Sequence, residues 1–278
     1  MKKQNSLIIL LFLTVITACE LDNFLFNEKQ IEKYKLPGNN IPDSQLEMVT
    51  FNSKGNKLYG YWVVSNGLRP GLTILYCHGN KHNLDEYWDR VMIMHELGVN
   101  VLIFDYRGFG LSEGESSEMG LYKDGEAALQ FVLTEKNVPA DSLCLYGYSL
   151  GNVVSIYLAA EKINPLTLIA EAPFASANSL IQGSTVLDLP SQWLTKGEFN
   201  NAEKIKRIKI PLLLMHGSDD DFVRFRDNGK IVYQNAPQPK SLKLIPGAVH
   251  NNIPEKMGTK SYLATISDWI NFSTQLEK

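Results

Sequence analysis

Residues 142–160 read SLCLYGYSLGNVVSIYLAA, and this stretch decides the fold. The apolar run SLCLY has strand length, and NVVSIYLAA has the length and apolar spacing of a helix. GYSLG, Gly147 to Gly151, joins them. A sharp strand-to-helix turn holds its central residue in strained backbone geometry, so the positions two before and two after it must be small, and both are glycine. Such a turn lifts Ser149 out of the sheet as a candidate nucleophile. The helix that opens there aims free N–H groups and its positive end at any oxyanion forming beside the serine.

Working outward, apolar runs of strand length alternate with longer helical stretches, the pattern of an α/β sheet. Strands are expected near Leu46–Phe51, Lys57–Val64, Leu72–Cys77, Asn100–Asp105, Ser142–Tyr146, Leu166–Glu171, Pro211–Met215 and Leu242–Ile245. The best helical patterns are Asp85–Leu97, Leu121–Glu135, Leu150–Lys162, Arg226–Gln234 and Tyr262–Leu276. Ser53-Lys54-Gly55-Asn56 joins the first two strands as a hairpin, while the later strands need crossovers and so run parallel.

The 278 residues are 44% hydrophobic, enough for one medium-sized core and too apolar for a disordered chain. Twenty-seven basic against 30 acidic residues give a net charge of −3, so no basic field exists to hold nucleic acid. Cys19, Cys77 and Cys144 are too few and too scattered for a disulfide scaffold or a paired-cysteine zinc site. At the amino end, Lys2 and Lys3 precede 13 uncharged residues, Leu7 to Cys19. That run is shorter than the ~20 residues needed to span a bilayer but fits the apolar region of a signal peptide. Ile16-Thr17-Ala18-Cys19 resembles the lipobox of bacterial lipoproteins. The resemblance implies cleavage after residue 18, acylation of Cys19 and a place on the bacterial cell membrane or outer membrane, with a mature charge of −5. Residues 19–45, broken by Pro37, Gly38, Asn39, Asn40 and Pro42, read as a tether in which Phe24, Leu25, Phe26, Ile31 and Tyr34 form a short helix on the domain or lie on the membrane. The domain is expected over 46–278, with a cap at about 175–209 carrying Leu180, Ile181, Val186, Leu187, Leu189, Trp193 and Leu194.

A serine hydroxyl needs a base to take its proton and an acid to orient that base. PLLLMHGSDDDFV ends an apolar strand on Asp219, Asp220 and Asp221, three competing acids. Of the five histidines only His250 follows them, in the loop LIPGAVHNNI, where Pro246 and Gly247 end the strand. His78 and His216 each precede a glycine at a strand end and read as architectural, and His95 belongs to a helix. His78 and His82 stand four apart without a third ligand, so neither metal nor cofactor is expected. A second oxyanion donor should follow the strand LYC, where Gly79 lets backbone approach substrate. The N–H groups of Asn80 and Leu150 would form the hole, with Lys81 as the alternative to Asn80.

CHGN at Cys77–Asn80, FDYRGFGLSEG at Phe104–Gly114, GYSLG, EAPF at Glu171–Phe174, HGSDDDFV at His216–Val223 and AVH at Ala248–His250 together resemble the α/β-hydrolases. The likeness is to the Bem46-like group, related to the ABHD13 and ABHD17 types and the serine aminopeptidase S33-like hydrolases. It covers about Leu46 to Leu276, with Val249 standing where relatives usually have glycine. The resemblance implies an eight-stranded, mostly parallel sheet, the chain order serine, acid, histidine, and Asp220 as the acid. It also implies serine hydrolase action on carboxylic ester or thioester bonds; a small-molecule or lipid acyl ester is the expected substrate, with no cofactor, the oligomeric state is left open with a monomer favoured, and amidase or peptidase action, or ligand binding without turnover, are the alternatives. In such a sheet Cys77 and Cys144 lie on neighbouring strands, offset by about two residues, and are expected as buried free thiols.

Overall fold

The computed structural model describes residues 25–184 and 197–276; Cys19, Phe24 and the cap residues Val186, Leu187, Leu189, Trp193 and Leu194 lie outside them. The described strands are β1 (Asn27–Glu28), β2 (Leu46–Ser53), β3 (Asn56–Val63), β4 (Thr73–Cys77), β5 (Lys81–His82), β6 (Asn100–Phe104), β7 (Leu143–Tyr148), β8 (Thr167–Glu171), β9 (Leu212–Gly217) and β10 (Lys240–Ile245). Eight of them form one sheet in the order β10-β9-β8-β7-β4-β6-β3-β2. Only β3 pairs antiparallel with its neighbours, β2 and β6; every other pair is parallel. All eight expected strands are present. The hairpin turns on Lys54 and Gly55, both with positive φ (53° and 97°), the backbone that a two-residue loop needs to match strand twist.

β4, β7, β8 and β9 are buried along their whole length, because helices cover both faces of a parallel sheet. The helices are α1 (Trp88–His95), α2 (Glu118–Thr134), α3 (Gly151–Glu161), α4 (Ala177–Ser184), α5 (Asn201–Lys204), α6 (Gly229–Asn235), α7 (Ile253–Met257) and α8 (Thr259–Leu276). Alternate residues of each strand feed two cores. Leu75, Leu145, Leu168 and Leu214 share one with α2 and α3 through Leu121, Leu129, Val153 and Val154. Ile74, Tyr146, Ile169 and Met215 share the other with α1 and α8 through Trp88, Val91, Tyr262 and Ile266. α2 starts three residues before the expected Leu121, because the Ser117 hydroxyl accepts the Gly120 N–H at 3.0 Å and caps the helix. α1 starts later than the expected Asp85, after a 3₁₀ turn over Leu84–Tyr87. α5 and α7 are short helices that the sequence pattern did not indicate. Cys77 and Cys144 are buried free thiols offset by three residues rather than two, since Cys144 faces Ile74 and Cys77 faces Gly147.

The stretch read as a tether needs correction for residues 25–45. Residues 26–42 lie along the body as an irregular strap with no helix, ending in a 3₁₀ turn over Asp43–Gln45, and Leu25, Phe26, Tyr34 and Ile41 are buried. β1 pairs in parallel with β5, the Lys29 N–H donates to His82 O at 3.0 Å, the Ile31 N–H donates to Gly110 O at 3.0 Å, and the Gly110 N–H donates to Lys29 O at 3.1 Å. Further along, the Tyr34 hydroxyl donates to Asp105 Oδ2 at 2.6 Å, and the Asp85 carboxylate accepts the N–H groups of Lys35 and Leu36. The irregular sequence fits because the strap's partners are loops, which demand no hydropathy period.

Candidate active site

The turn after β7 is locally over-determined. Ser149 adopts φ 51°, its N–H donates to Glu171 O at 3.0 Å, and its carbonyl accepts the Asn152 N–H at 3.0 Å. A left-handed non-glycine residue costs about 1–3 kcal/mol and persists only where its surroundings fix it. Here they do so by contact. A Cβ on Gly147 would lie 2.2 Å from Ser155 Oγ and 2.8 Å from Asn152 Cα, and one on Gly151 would lie 1.9 Å from the Cys77 carbonyl oxygen. The two glycines therefore let α3 and β4 close against the turn, as the motif requires.

Ser149, His250 and Asp220 come together from three loops. The Ser149 hydroxyl donates to His250 Nε2 at 2.9 Å, and His250 Nδ1–H donates to Asp220 Oδ2 at 2.7 Å. Oδ1 of Asp220 accepts the N–H groups of Phe222 (3.1 Å) and Val223 (2.7 Å). Asp220 is buried, and burial by itself raises its pKa. Hydrogen bonding from His216 and His250, with the Val223 N–H, outweighs this and holds the carboxylate well below its ordinary range. Asp219 and Asp221 are exposed; Asp219 accepts the neighbouring Ser218 hydroxyl instead. Of the three competing acids, only Asp220 meets the histidine. His216, read as architectural, supports that acid: its Nε2–H donates to Val223 O at 2.7 Å and lies 3.4 Å from Asp220 Oδ2. The loop that carries His250 forms with Val249 in place of glycine, its N–H bonded to the Asn252 side chain at 2.8 Å.

On the oxyanion side, Asn80 and Leu150 line a small niche together with Ser149. The Lys81 N–H, the alternative donor, is committed elsewhere, donating to the Tyr87 hydroxyl at 2.7 Å. His78 braces this loop. Its Nδ1 bonds Gly79 O at 2.7 Å, its carbonyl accepts the Tyr106 hydroxyl, and Asp105, 3.2 Å from its Nε2, also accepts the Leu84 N–H. Asp105 is the carboxylate that Tyr34 of the strap reaches.

A buried ion pair ties the turn to the histidine loop. Arg90 Nη1 donates to Glu171 Oε1 at 2.5 Å and Nη2 to Asn251 O at 3.2 Å, while the guanidinium lies 4.2 Å from the centre of the Tyr148 ring. The other Glu171 oxygen accepts Tyr146 and Tyr262 hydroxyls, and the Glu171 carbonyl receives the Ser149 N–H and the Asn152 side chain. Tyr148 donates to His250 O at 3.2 Å. Arg90 and Tyr148 were not singled out from sequence; the one available signal was Glu171 in EAPF, whose partners are distant along the chain. Above Ser149 and His250 opens a cleft of about 760 Å³, edged by Lys81, Glu86, Asp89, Asp221 and Glu255. No group of three or more His, Cys, Asp or Glu side chains among the described residues is arranged to hold a metal ion.

Residues 69–196 match the family model described as serine aminopeptidase, S33. The chain is 32% identical over 257 residues to the uncharacterized protein YfhR of Escherichia coli K12, covering 87% of this chain and 86% of that protein. It is 32% identical over 182 residues to the alpha/beta hydrolase domain-containing protein aho-3 of Caenorhabditis elegans, covering 65% of this chain and 53% of that protein. Among solved structures, the esterase Pf2001 of Pyrococcus furiosus superposes with a TM-score of 0.68 at 20% identity, over 88% of this chain and 98% of that one.

Proposed function

Because the chain belongs to the α/β-hydrolase superfamily, we propose that it is a serine hydrolase of carboxylic ester or acyl-thioester bonds, with Ser149 as nucleophile, His250 as base and Asp220 as the orienting acid. The observation that supports this reading best is the unbroken hydrogen-bonded chain Ser149–His250–Asp220 at the head of α3. Ser149 Oγ attacks the acyl carbonyl carbon as His250 Nε2 takes its proton. Asp220 keeps the other imidazole proton on Nδ1 and stabilises the imidazolium. The carbonyl electron pair moves onto oxygen, facing the Asn80 and Leu150 N–H groups and the positive end of α3. Collapse expels the alcohol or thiol, which takes the proton from Nε2, and leaves an acyl-Ser149. Water then repeats the sequence: His250 removes its proton, the second tetrahedral adduct forms, and the acid leaves as Ser149 recovers its hydrogen.

A fluorophosphonate probe should label Ser149 stoichiometrically and a p-nitrophenyl ester should turn over; absence of both at neutral pH would overturn the reading. Peptidase action is the second reading, favoured by the S33 description of the matched model and by the acidic edge of the cleft, suited to a free amine. Release of p-nitroaniline from aminoacyl anilides faster than hydrolysis of esters would decide for it.

Membrane attachment through an acylated Cys19 belongs to the same proposal. It rests on the lipobox-like Ile16–Cys19 and the two lysines ahead of the apolar run, and no helix among the described residues is long and apolar enough to cross a membrane. Mass spectrometry of the mature amino terminus tests it: an acylated Cys19 supports attachment, and an unmodified terminus at another residue overturns it.

A further inference from the structure

The space around Ser149 is sharply unequal on its two sides. Toward His250 lies the polar cleft of about 760 Å³. On the side of Asn80 and Leu150 lies the niche, walled by Leu25, Leu150, Phe174, Leu180, Phe222 and Val223, with a volume of about 10 Å³, roughly the room of one water molecule. The two halves of an ester would divide between them by polarity. An acyl chain gains by leaving water against apolar walls, whereas charged side chains resist being desolvated by a hydrocarbon.

One wall of the niche does not come from the sheet or its crossovers. Leu25 is 4% exposed and stands at the head of the strap, two residues before Asn27, which lines the cleft. The strap thus runs between niche and cleft. Asn27 pairs with Lys81 in parallel register, so the backbone that carries Leu25 is bonded to the residue following Asn80. Wedge and oxyanion loop therefore form one unit.

We propose that Leu25 is a specificity-determining residue: it closes the acyl side of the site, so that the substrates are esters of short acyl groups on larger, polar alcohols or thiols. This rests on the serine hydrolase reading, with the niche receiving the acyl group. Leu25→Ala removes three carbon atoms from the wall and lets a longer chain enter; Leu25→Trp fills what space there is. A single methylene in an apolar pocket is worth about 10-fold or more in discrimination, so the expected change is large enough to measure.

The test measures kcat/KM for p-nitrophenyl acetate, butyrate and octanoate with the full chain and both variants, alongside fluorophosphonate labelling of Ser149 and a thermal unfolding curve for each. The unsubstituted protein should favour acetate. The octanoate-to-acetate ratio should rise about tenfold or more in Leu25→Ala, and the butyrate-to-acetate ratio should fall in Leu25→Trp. Folded, labelled variants whose ratios both stay within about twofold of the parent overturn the role of Leu25 and leave the hydrolase reading standing. Failure of the unsubstituted protein to label or turn over is the separate outcome that removes the hydrolase reading, and this assignment with it.

Discussion

The turn carrying Ser149 and the strap carrying Leu25 border the same niche, but they are held there in opposite ways. Ser149 is fixed from several directions: its N–H on Glu171 O, its carbonyl on Asn152, and two glycines pressed against β4 and the first turn of α3. The strap is held point by point, by backbone bonds to β5 and Gly110, by the Tyr34 hydroxyl on Asp105, by the Asp85 carboxylate on Lys35 and Leu36, and by single buried side chains. Atoms whose position decides the chemistry sit where displacement breaks many contacts at once. A wall that decides only what fits can sit on an element that is cheaper to move, and so easier to vary.

The largest break is at the rigid side. Ser149→Ala should lower kcat for a p-nitrophenyl ester by about 10⁵-fold or more with an unchanged thermal transition, because the attacking oxygen is lost and the packing is not. Parent-like turnover would remove Ser149 from the mechanism. Asp220→Asn should cost about 10⁴-fold through the wrong histidine tautomer, while Asp219→Asn and Asp221→Asn stay within about tenfold of the parent. The same variant tests the electrostatics. Burial raises the Asp220 pKa, but hydrogen bonds from His216 and His250 bring it below its ordinary 3.8. The ionised carboxylate therefore stabilises the fold above about pH 4, and that contribution fades as the pH falls from there toward the depressed folded-state value. Urea unfolding between pH 6 and 3 should show a shallower loss of stability in Asp220→Asn than in the parent; equal slopes would contradict the assignment.

A smaller break is steric. Gly151→Ala places a Cβ against the Cys77 carbonyl, where backbone must give, and should cost about 3 kcal/mol, read as a fall in Tm of about 6–12 °C. The smallest is at the strap. Tyr34→Phe deletes one donor to Asp105, worth about 1–3 kcal/mol for a bond to a buried charged group, and should loosen residues 25–34 with at most a several-fold change in kcat/KM. Hydrogen exchange that quickens at Lys29 and Ile31 but not in β4 or β7 would sharpen the contrast; exchange that quickens equally in all four would erase it.

What could be read ahead of the structure follows the same divide. β4, β7, β8 and β9 are apolar runs buried on both faces, and Ser149 lies in a five-residue motif whose sterics are local, so both were visible in the sequence. Asp220 and His250 were read through chain order and a motif resemblance, and hydrogen bonds join them to each other and to Ser149. Asn80 and Lys81 could not be separated, because the choice depends on the Tyr87 hydroxyl, placed by a 3₁₀ turn that no period announces. Leu25, Tyr34 and Arg90 were missed as parts of the site for a related reason. Tyr34 and Arg90 bond Asp105 and Glu171, and Leu25 lines the same niche as Ser149, all far away in sequence; hydropathy patterns register whether a residue is buried, not what it is buried against.

The order of contacts along the strap has a mechanical meaning. Going inward from the amino end, the first described residue is the wedge in the niche, followed by the β1 pairing, then Tyr34, and only at Leu46 the large sheet. Displacing residues 25–31 therefore strains Leu25 and the bonds of β1 to β5 and Gly110, while the eight-stranded sheet keeps its own pairing. A shift of the strap thus moves one wall of the niche without breaking a pairing of the sheet that carries Ser149.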